Sequence, residues 1–393
     1  AELLCAGKRV AILIGSGARE AVDEVVAVAD VLDAGIAKAL LGKDVLPDHH
    51  SMVTGAIGLL GTHASWQMME HCDTLLMIGT SFPYTEFLPE TGAARAVQID
   101  IDPVRVGMRF PTEVNLVGDA RLTLRALLPL LGARDPQRAP WRKKVDRWIN
   151  DWRAQLEVTA PGDGSDGPID PRLVARELSR QLPDRAIVTA DSGTSVSWYA
   201  RYVDLRAGMR GSVSGQLASM GVGVPYAIGA KLAHPDRPVI TLLGDGSMQM
   251  NGLAELLTIQ RYRDRFTDPR LIIAVLDNGD LNMVTWEQRV MAGDPRLPAS
   301  QDLPRVDYAE VARAMGLTGI RIERPDDVAG AWRQAFAADG PVLLDFVTDP
   351  NVPPMPPHVT FAEARNLMFA LAHGDEERTG IVKRVIADTL HRP

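Results

Sequence analysis

The sequence predicts an α/β fold: two doubly wound parallel-sheet domains, the first Rossmann-like. Three observations carry that prediction. Short β-rich apolar runs alternate with helical stretches along most of the 393 residues, the pattern of strand–helix–strand units. These runs are near-continuous rather than alternating, so both faces of each sheet are covered. A charged helix and a Gly- and Asp-rich stretch then divide the strands into two sets.

The first set occupies residues 1–135. Its clearest strands are "RVAILIG" (9–15), "TLLMIGT" (74–80) and "AVQIDID" (96–102), with helical patterns such as "GAREAVDEVVAVADVL" between them. Residues 136–169 form a helix and linker. In "PWRKKVDRWINDWRAQLE" (140–157), Trp141, Trp148 and Trp152 fall on one helical face, a stripe expected to pack on a neighbour. "APGDGSDGPID" (160–170) reads as a loop. The second domain, 170–350, opens on "DPRLVARELSRQL", with Asp170 as N-cap and Pro171 at the first helical position. Its strands are "AIVTAD" (186–191), "PVITLLGD" (238–245), "LIIAVLDN" (271–278) and "PVLLDFV" (341–347). Residues 351–393 carry a Pro-rich run and two helical patterns.

Composition narrows the function classes. A net charge of −8 argues against a nucleic-acid or anionic-membrane surface. Two cysteines, Cys5 and Cys72, make no disulfide framework and fit a reducing, cytoplasmic setting. No apolar run approaches the ~20 residues of a membrane span, and no signal peptide precedes the first strand pattern.

In open parallel sheets, ligands bind beyond the carboxyl ends of strands. "GSGAR" (15–19) begins like a dinucleotide fingerprint, but Glu20 stands where the third glycine belongs, so a turn or a peripheral cofactor contact is expected. Asp245, between Gly244 and Gly246, ends one strand and starts a helix. Such a position suits a tight turn, a phosphate loop or a metal–diphosphate site. An aspartate repels a phosphate unless a hard divalent cation such as Mg²⁺ stands between them. A second strand ends in "LDNGD", where Asn278 offers a neutral amide oxygen.

"GDGSMQMN…LDNGDLNMV" resembles the diphosphate-binding motif of thiamine-diphosphate enzymes. "SGQLASMGVGVPYAIGAKLAHPDRPVITLLGDG" is similar to the segment before that motif in the pyruvate oxidase and acetolactate synthase superfamily. "LLMIGTSFPYTEF…AVQIDIDPVRVG…LVGDARLTLRALLPLL" resembles the central domain of flavin-dependent pyruvate oxidases. The resemblance covers nearly the whole chain. It implies that Asp245, the Asn278 side chain and the Asp280 carbonyl hold Mg²⁺. Ser192, Gly193, Thr194, Gly246, Ser247, Asn278 and Met283 would line thiamine diphosphate. Met220 would wedge under the cofactor and force its V shape, and the Ala218 carbonyl would accept from the exocyclic amine. Gly79, Thr80, Phe82, Asp100, Asp102 and Asp119 match positions that hold FAD in the oxidases.

Several features depart from the family pattern. The Asn-Asn pair reads Asp277-Asn278, which leaves an extra carboxylate beside the metal position. The gap between Asp245 and Asn278 is long, with the excess expected in "RYRDRFTDPR". Asn282 replaces a frequent glycine near the expected substrate side. The chain opens abruptly, and the resemblance implies a missing pyrimidine-binding domain that carries the activating glutamate. The sequence is therefore expected to come from a longer protein and to be inactive alone. The expected parent activity is decarboxylation of a 2-oxo acid, as in pyruvate oxidase or quinone-linked pyruvate dehydrogenase. An acetolactate-synthase-like carboligase and a non-catalytic remnant are the alternatives. A homodimer or homotetramer is expected, because the family's active centre forms between subunits. In 376–393, Ile381, Val382, Val385, Ile386 and Leu390 form a helical stripe, expected to pack on its own protein or to touch a membrane surface.

Overall fold

The computed structural model describes residues 1–159, 167–382 and 384. They divide into two compact units, one of residues 1–154 with 204–207 and 356–358, the other of residues 155–203, 208–355 and 359 onward.

The first unit holds a six-stranded sheet: β1 (Val10–Ile14), β2 (Gly35–Lys38), β3 (Val53–Ala56), β4 (Thr74–Ile78), β5 (Arg95–Asp100) and β6 (Val114–Val117). The order is β3-β2-β1-β4-β5-β6, with every pairing parallel. It reverses between β1 and β4, the Rossmann arrangement. One face packs under helix Val22–Val31 through Val25, Val28 and Ala29. The other takes the long helix Ala139–Thr159 through Trp141, Val145 and Ile149. Trp141 is buried and donates its indole N–H to the Val10 carbonyl at 2.9 Å. Trp148 and Trp152 are half-buried.

The second unit holds β7 (Ile187–Ala190), β8 (Arg210–Val213), β9 (Val239–Gly244), β10 (Leu271–Asp277), β11 (Thr318–Ile322) and β12 (Val342–Val347). These run parallel in the order β11-β12-β10-β9-β7-β8. β9, β10 and β12 are apolar and almost wholly buried. Asp170 caps helix Pro171–Gln181 by accepting from the Arg172 N–H at 2.8 Å, with Pro171 in its first turn. The sheet order reverses between β7 and β9, so the crevice beyond their carboxyl ends is where a ligand belongs.

All seven strands expected from the sequence are present. The other five are short or carry glycine or exposed polar residues. β8, "RGSV", and β6, "VNLV", lie at sheet edges, and β6 is largely exposed. "GSGAR" forms a 3₁₀ turn, Ser16–Ala18. The Gly17 N–H bonds the Gly79 carbonyl at 3.1 Å, and a Cβ on Gly17 would lie 2.8 Å from the Gly79 Cα. The glycines there serve close loop packing. Of the C-terminal stripe, Ile381 is buried and Val382 is exposed; Arg384, beside the stripe, pairs with Asp170. Val385, Ile386 and Leu390 lie outside the described residues. Among the described residues no helix is long and apolar enough to cross a membrane.

Candidate functional site

The crevice at the β7/β9 reversal is built from three chain segments. β7 ends at Ala190, Asp191 follows it, and the turn Ser192–Gly193 leads into helix Thr194–Tyr202. Gly193 has φ +104°, a left-handed value that favours glycine. β9 ends at Gly244, and Asp245–Ser247 begins a helix that opens at once into a π turn, Met248–Gly252. Such π turns recur at functional sites. The third segment is the loop 214–222 before helix Gly223–Ala233. It holds Ala218 at φ +48°, a strained conformation for a residue with a Cβ.

Asp245 is 2% exposed. One carboxylate oxygen accepts the Gly246 N–H at 2.9 Å. The other accepts Asn278 N–H at 3.1 Å and Gly279 N–H at 2.5 Å, tying the end of β9 to the turn after β10. These partners are neutral. Burial pushes the Asp245 carboxyl up to about 7, helped by the neighbouring Asp277 carboxylate. A hard divalent cation would relieve this buried negative charge. Asn278 supplies the second oxygen: its Oδ1 accepts Asp280 N–H at 3.0 Å and keeps a further lone pair. The Asp280 carbonyl accepts the Asn282 N–H at 2.7 Å.

The Asp280 carboxylate has a different task. It accepts from Thr285 Oγ1 at 2.9 Å, Asn282 Nδ2 at 3.0 Å and Arg296 Nε at 3.1 Å, which fixes the turn. Asn282 also donates to the Pro350 carbonyl at 2.9 Å, so its amide is spent on holding this loop. The extra carboxylate, Asp277, lies within ion-pair distance of Arg305 at 3.4 Å and Arg321 at 3.7 Å. Arg321 also pairs with buried Asp345 at 2.6 Å. Among the described residues, no group of three or more His, Cys, Asp or Glu gathers to hold a metal. The set offered here is one carboxylate, one amide oxygen and one backbone carbonyl, which leaves positions for phosphate oxygens.

Ser192, Gly193, Thr194, Gly246 and Ser247 gather around the crevice. Ser192 Oγ donates to the Ser219 carbonyl at 3.0 Å. Met220 is 37% exposed, and its methyl would lie 2.9 Å from a Cβ placed on Gly246. The loop therefore brings Met220 onto the Asp245–Ser247 turn across 25 residues of sequence. Met283 is half-buried in the first turn of helix Asn282–Glu287. A pocket of about 310 Å³ opens beside Asn278, lined also by Arg296, Arg305 and Asn351. A second cavity, of about 480 Å³, lies at the opposite strand ends beside Asp236 and Arg270, remote from these residues.

The most connected residue of the crevice is one that the sequence reading passed over. Asp191 is fully buried and accepts N–H groups from Ser192, Gly221 and Gly223 at 2.8, 2.9 and 2.6 Å. Its position before "SGT" at a strand end was the available signal.

The residues matched to FAD positions are occupied locally. Asp102 and Asp119 cap short helices by accepting from Val104 N–H at 3.0 Å and Leu122 N–H at 2.9 Å. Asp100 accepts from the Asp102 N–H at 3.0 Å. Phe82 belongs to the core, Thr80 is buried, and Gly79 packs on Gly17. Asp100, Asp102 and Asp119 thus hold their own turns, and Gly79, Thr80 and Phe82 pack within the first unit.

Two family models match. Residues 1–127 fit the thiamine pyrophosphate enzyme central domain. Residues 191–346 fit the thiamine pyrophosphate enzyme C-terminal, cofactor-binding domain, a span that starts at Asp191 and includes the whole crevice. The chain belongs to the thiamine pyrophosphate enzyme family. It is 33% identical over 361 residues to the putative thiamine pyrophosphate-containing protein YdaP of Bacillus subtilis, covering 91% of this chain and 60% of that protein. It is 31% identical over 374 residues to a probable acetolactate synthase large subunit of Methanocaldococcus jannaschii, covering 91% and 61%. It is 29% identical over 360 residues to a sulfoacetaldehyde acetyltransferase of Rhodobacter capsulatus, covering 86% and 60%. The chain thus spans about 60% of the length of these curated relatives.

Proposed function

We propose that this thiamine pyrophosphate family member anchors the cofactor through Mg²⁺ and serves the decarboxylation of a 2-oxo acid. The observation that carries the reading is the pair Asp245 and Asn278. A buried carboxylate and an amide oxygen stand at adjacent strand ends, joined by the Asn278 and Gly279 N–H bonds to Asp245. Asp245, Asn278 and the Asp280 carbonyl would hold the cation. Gly246, Ser247 and the start of helix Thr194–Tyr202 would face the diphosphate. Bound thiamine diphosphate supplies the nucleophile and electron sink for decarboxylating a 2-oxo acid. Met220 would support the cofactor by shape, and the Ala218 carbonyl would orient its exocyclic amine, which makes proton removal a matter of position.

The test is calorimetric titration of thiamine diphosphate with and without Mg²⁺. Asp245→Ala should abolish the Mg²⁺-dependent binding, and Asn278→Ala should weaken it less, because a neutral ligand is lost. Unchanged affinity in Asp245→Ala overturns the site.

Two activities compete. Oxidase-type chemistry on pyruvate would give acetate and a reduced electron acceptor; carboligation would give acetolactate. The names of the acetolactate synthase relatives favour the second, and the resemblance of "GTSFPYTEF" favours the first. Product analysis with pyruvate and the full-length parent protein separates them. Added FAD, followed by visible absorbance of the gel-filtered protein, tests the flavin expectation: retained flavin would bear it out.

A further inference from the structure

We propose that Asp191 is the positioning residue that sets the geometry of the cofactor crevice, a role that deepens the reading above. Its carboxylate lies at the end of β7, fully buried. Each carboxylate oxygen accepts two hydrogen bonds at most in a good geometry, about four in all. Oδ1 takes the Ser192 and Gly221 N–H groups at 2.8 and 2.9 Å. Oδ2 takes the Gly223 N–H at 2.6 Å. Its three donors come from the turn after β7 and from the loop that leads into helix Gly223–Ala233.

The neighbouring sequence is shaped around this group. A Cβ on Gly223 would lie 2.9 Å from Oδ2 and 3.1 Å from the Asp191 Cβ. Gly221 has φ +89°, and a Cβ there would lie 3.0 Å from the Asn251 Cβ. Glycine is required at both positions for the loop to reach the carboxylate. The same loop holds Ala218 at its strained φ and carries Met220 onto Gly246. Such a conformation persists only where the surroundings over-determine it. Two charge-assisted N–H bonds just after Met220, with Ser192 Oγ on the Ser219 carbonyl, supply that constraint. Asp191 thus holds the loop that carries Met220 against the end of β7, and with it the side of the crevice that faces the Asp245–Ser247 turn.

Asparagine at this position has one acceptor oxygen and turns an NH₂ group toward N–H donors, so it cannot reproduce the arrangement. In Asp191→Asn, amide hydrogen exchange at Gly221 and Gly223 should accelerate at least tenfold in the cofactor-free protein. Exchange in β9 and β10 should stay slow. Thiamine diphosphate affinity, read by tryptophan fluorescence with saturating Mg²⁺, should fall roughly tenfold or more. The near-UV circular dichroism of the saturated variant should differ from wild type, a change that lower global stability alone would not produce. If Asp191→Asn does not fold, Gly223→Ala serves instead, because its Cβ displaces the same lip with Asp191 intact.

Unchanged exchange at Gly221 and Gly223 overturns the inference whether or not cofactor binds. Equal cofactor affinity in wild type and variant also overturns it. Failure of the wild type to bind thiamine diphosphate under any Mg²⁺ concentration sinks the cofactor reading instead, while the exchange result still decides the role of Asp191 in the loop.

Discussion

Single residues carry the electrostatics of this site. Asp245 has its carboxyl pushed up to about 7 by burial and by Asp277, against an ordinary value near 4. Between those values the folded chain holds a proton that the unfolded chain has lost. The stabilisation from that proton is complete below the ordinary carboxyl range and is lost as pH rises through about 7. Asp245→Asn should flatten the stability curve over that window, as measured by urea unfolding at several pH values. Mg²⁺ competes with the same proton, so metal affinity in wild type should rise through the window and level off above it. An affinity that is flat with pH would contradict Asp245 as a ligand. Lys231 shows the opposite sign. Its ammonium is buried, donates to the Arg237 carbonyl at 2.6 Å, and is lowered to about 8 by burial. The unfolded chain then binds more protons between about 8 and the ordinary value near 10.4, so this group makes stability rise with pH there. Lys231→Met should remove that slope.

At the scale of elements, the turn after β10 is held by a network that reaches toward the C-terminus. Arg289 and Asp375 form a buried two-point pair at 2.8 and 2.9 Å, and Asp375 also accepts the Arg296 N–H at 3.0 Å. Asn366, on helix Phe361–Ala372, donates to the Val290 and Met291 carbonyls at 3.1 and 2.9 Å. Arg289→Met should destabilise the protein by about 3–5 kcal/mol, because it leaves Asp375 buried and unpaired. The double variant with Asp375→Leu should recover much of that loss. Equal unfolding midpoints for wild type and Arg289→Met would contradict the account. This network was invisible in the sequence, since its members lie far apart and none belongs to a motif. The long apolar strands were legible because burial on both faces writes them as continuous runs. β2, β3, β8 and β11 were not, because four or five residues with a glycine or a charge look like loop. The pairing of Asp245 with Asn278 was legible, because each stands just past an apolar run that reads as a strand. Asp191 was not, because its importance lies in donors some 30 residues away.

For the whole molecule, the expectation of a homo-oligomer stands as a proposal. Leu217, Met250 and Leu257 are 85%, 64% and 56% exposed. They sit on the loop before helix Gly223–Ala233, on the π turn and on helix Glu255–Tyr262, elements that pack on one another in the second unit. Exposed apolar side chains gathered on adjacent elements mark an interaction surface. Light scattering should report a dimer or larger species for wild type. Leu217→Asp with Met250→Asp should shift it toward monomer; a wild-type monomer at all concentrations would contradict the proposal. The central claim, that Asp245 and Asn278 hold the cation that anchors the diphosphate, has a more direct test. Crystals grown with thiamine diphosphate and Mn²⁺ locate the metal by its anomalous scattering. One peak is expected within coordination distance of an Asp245 carboxylate oxygen and Asn278 Oδ1. Cofactor density with the metal peak away from Asp245 would contradict it.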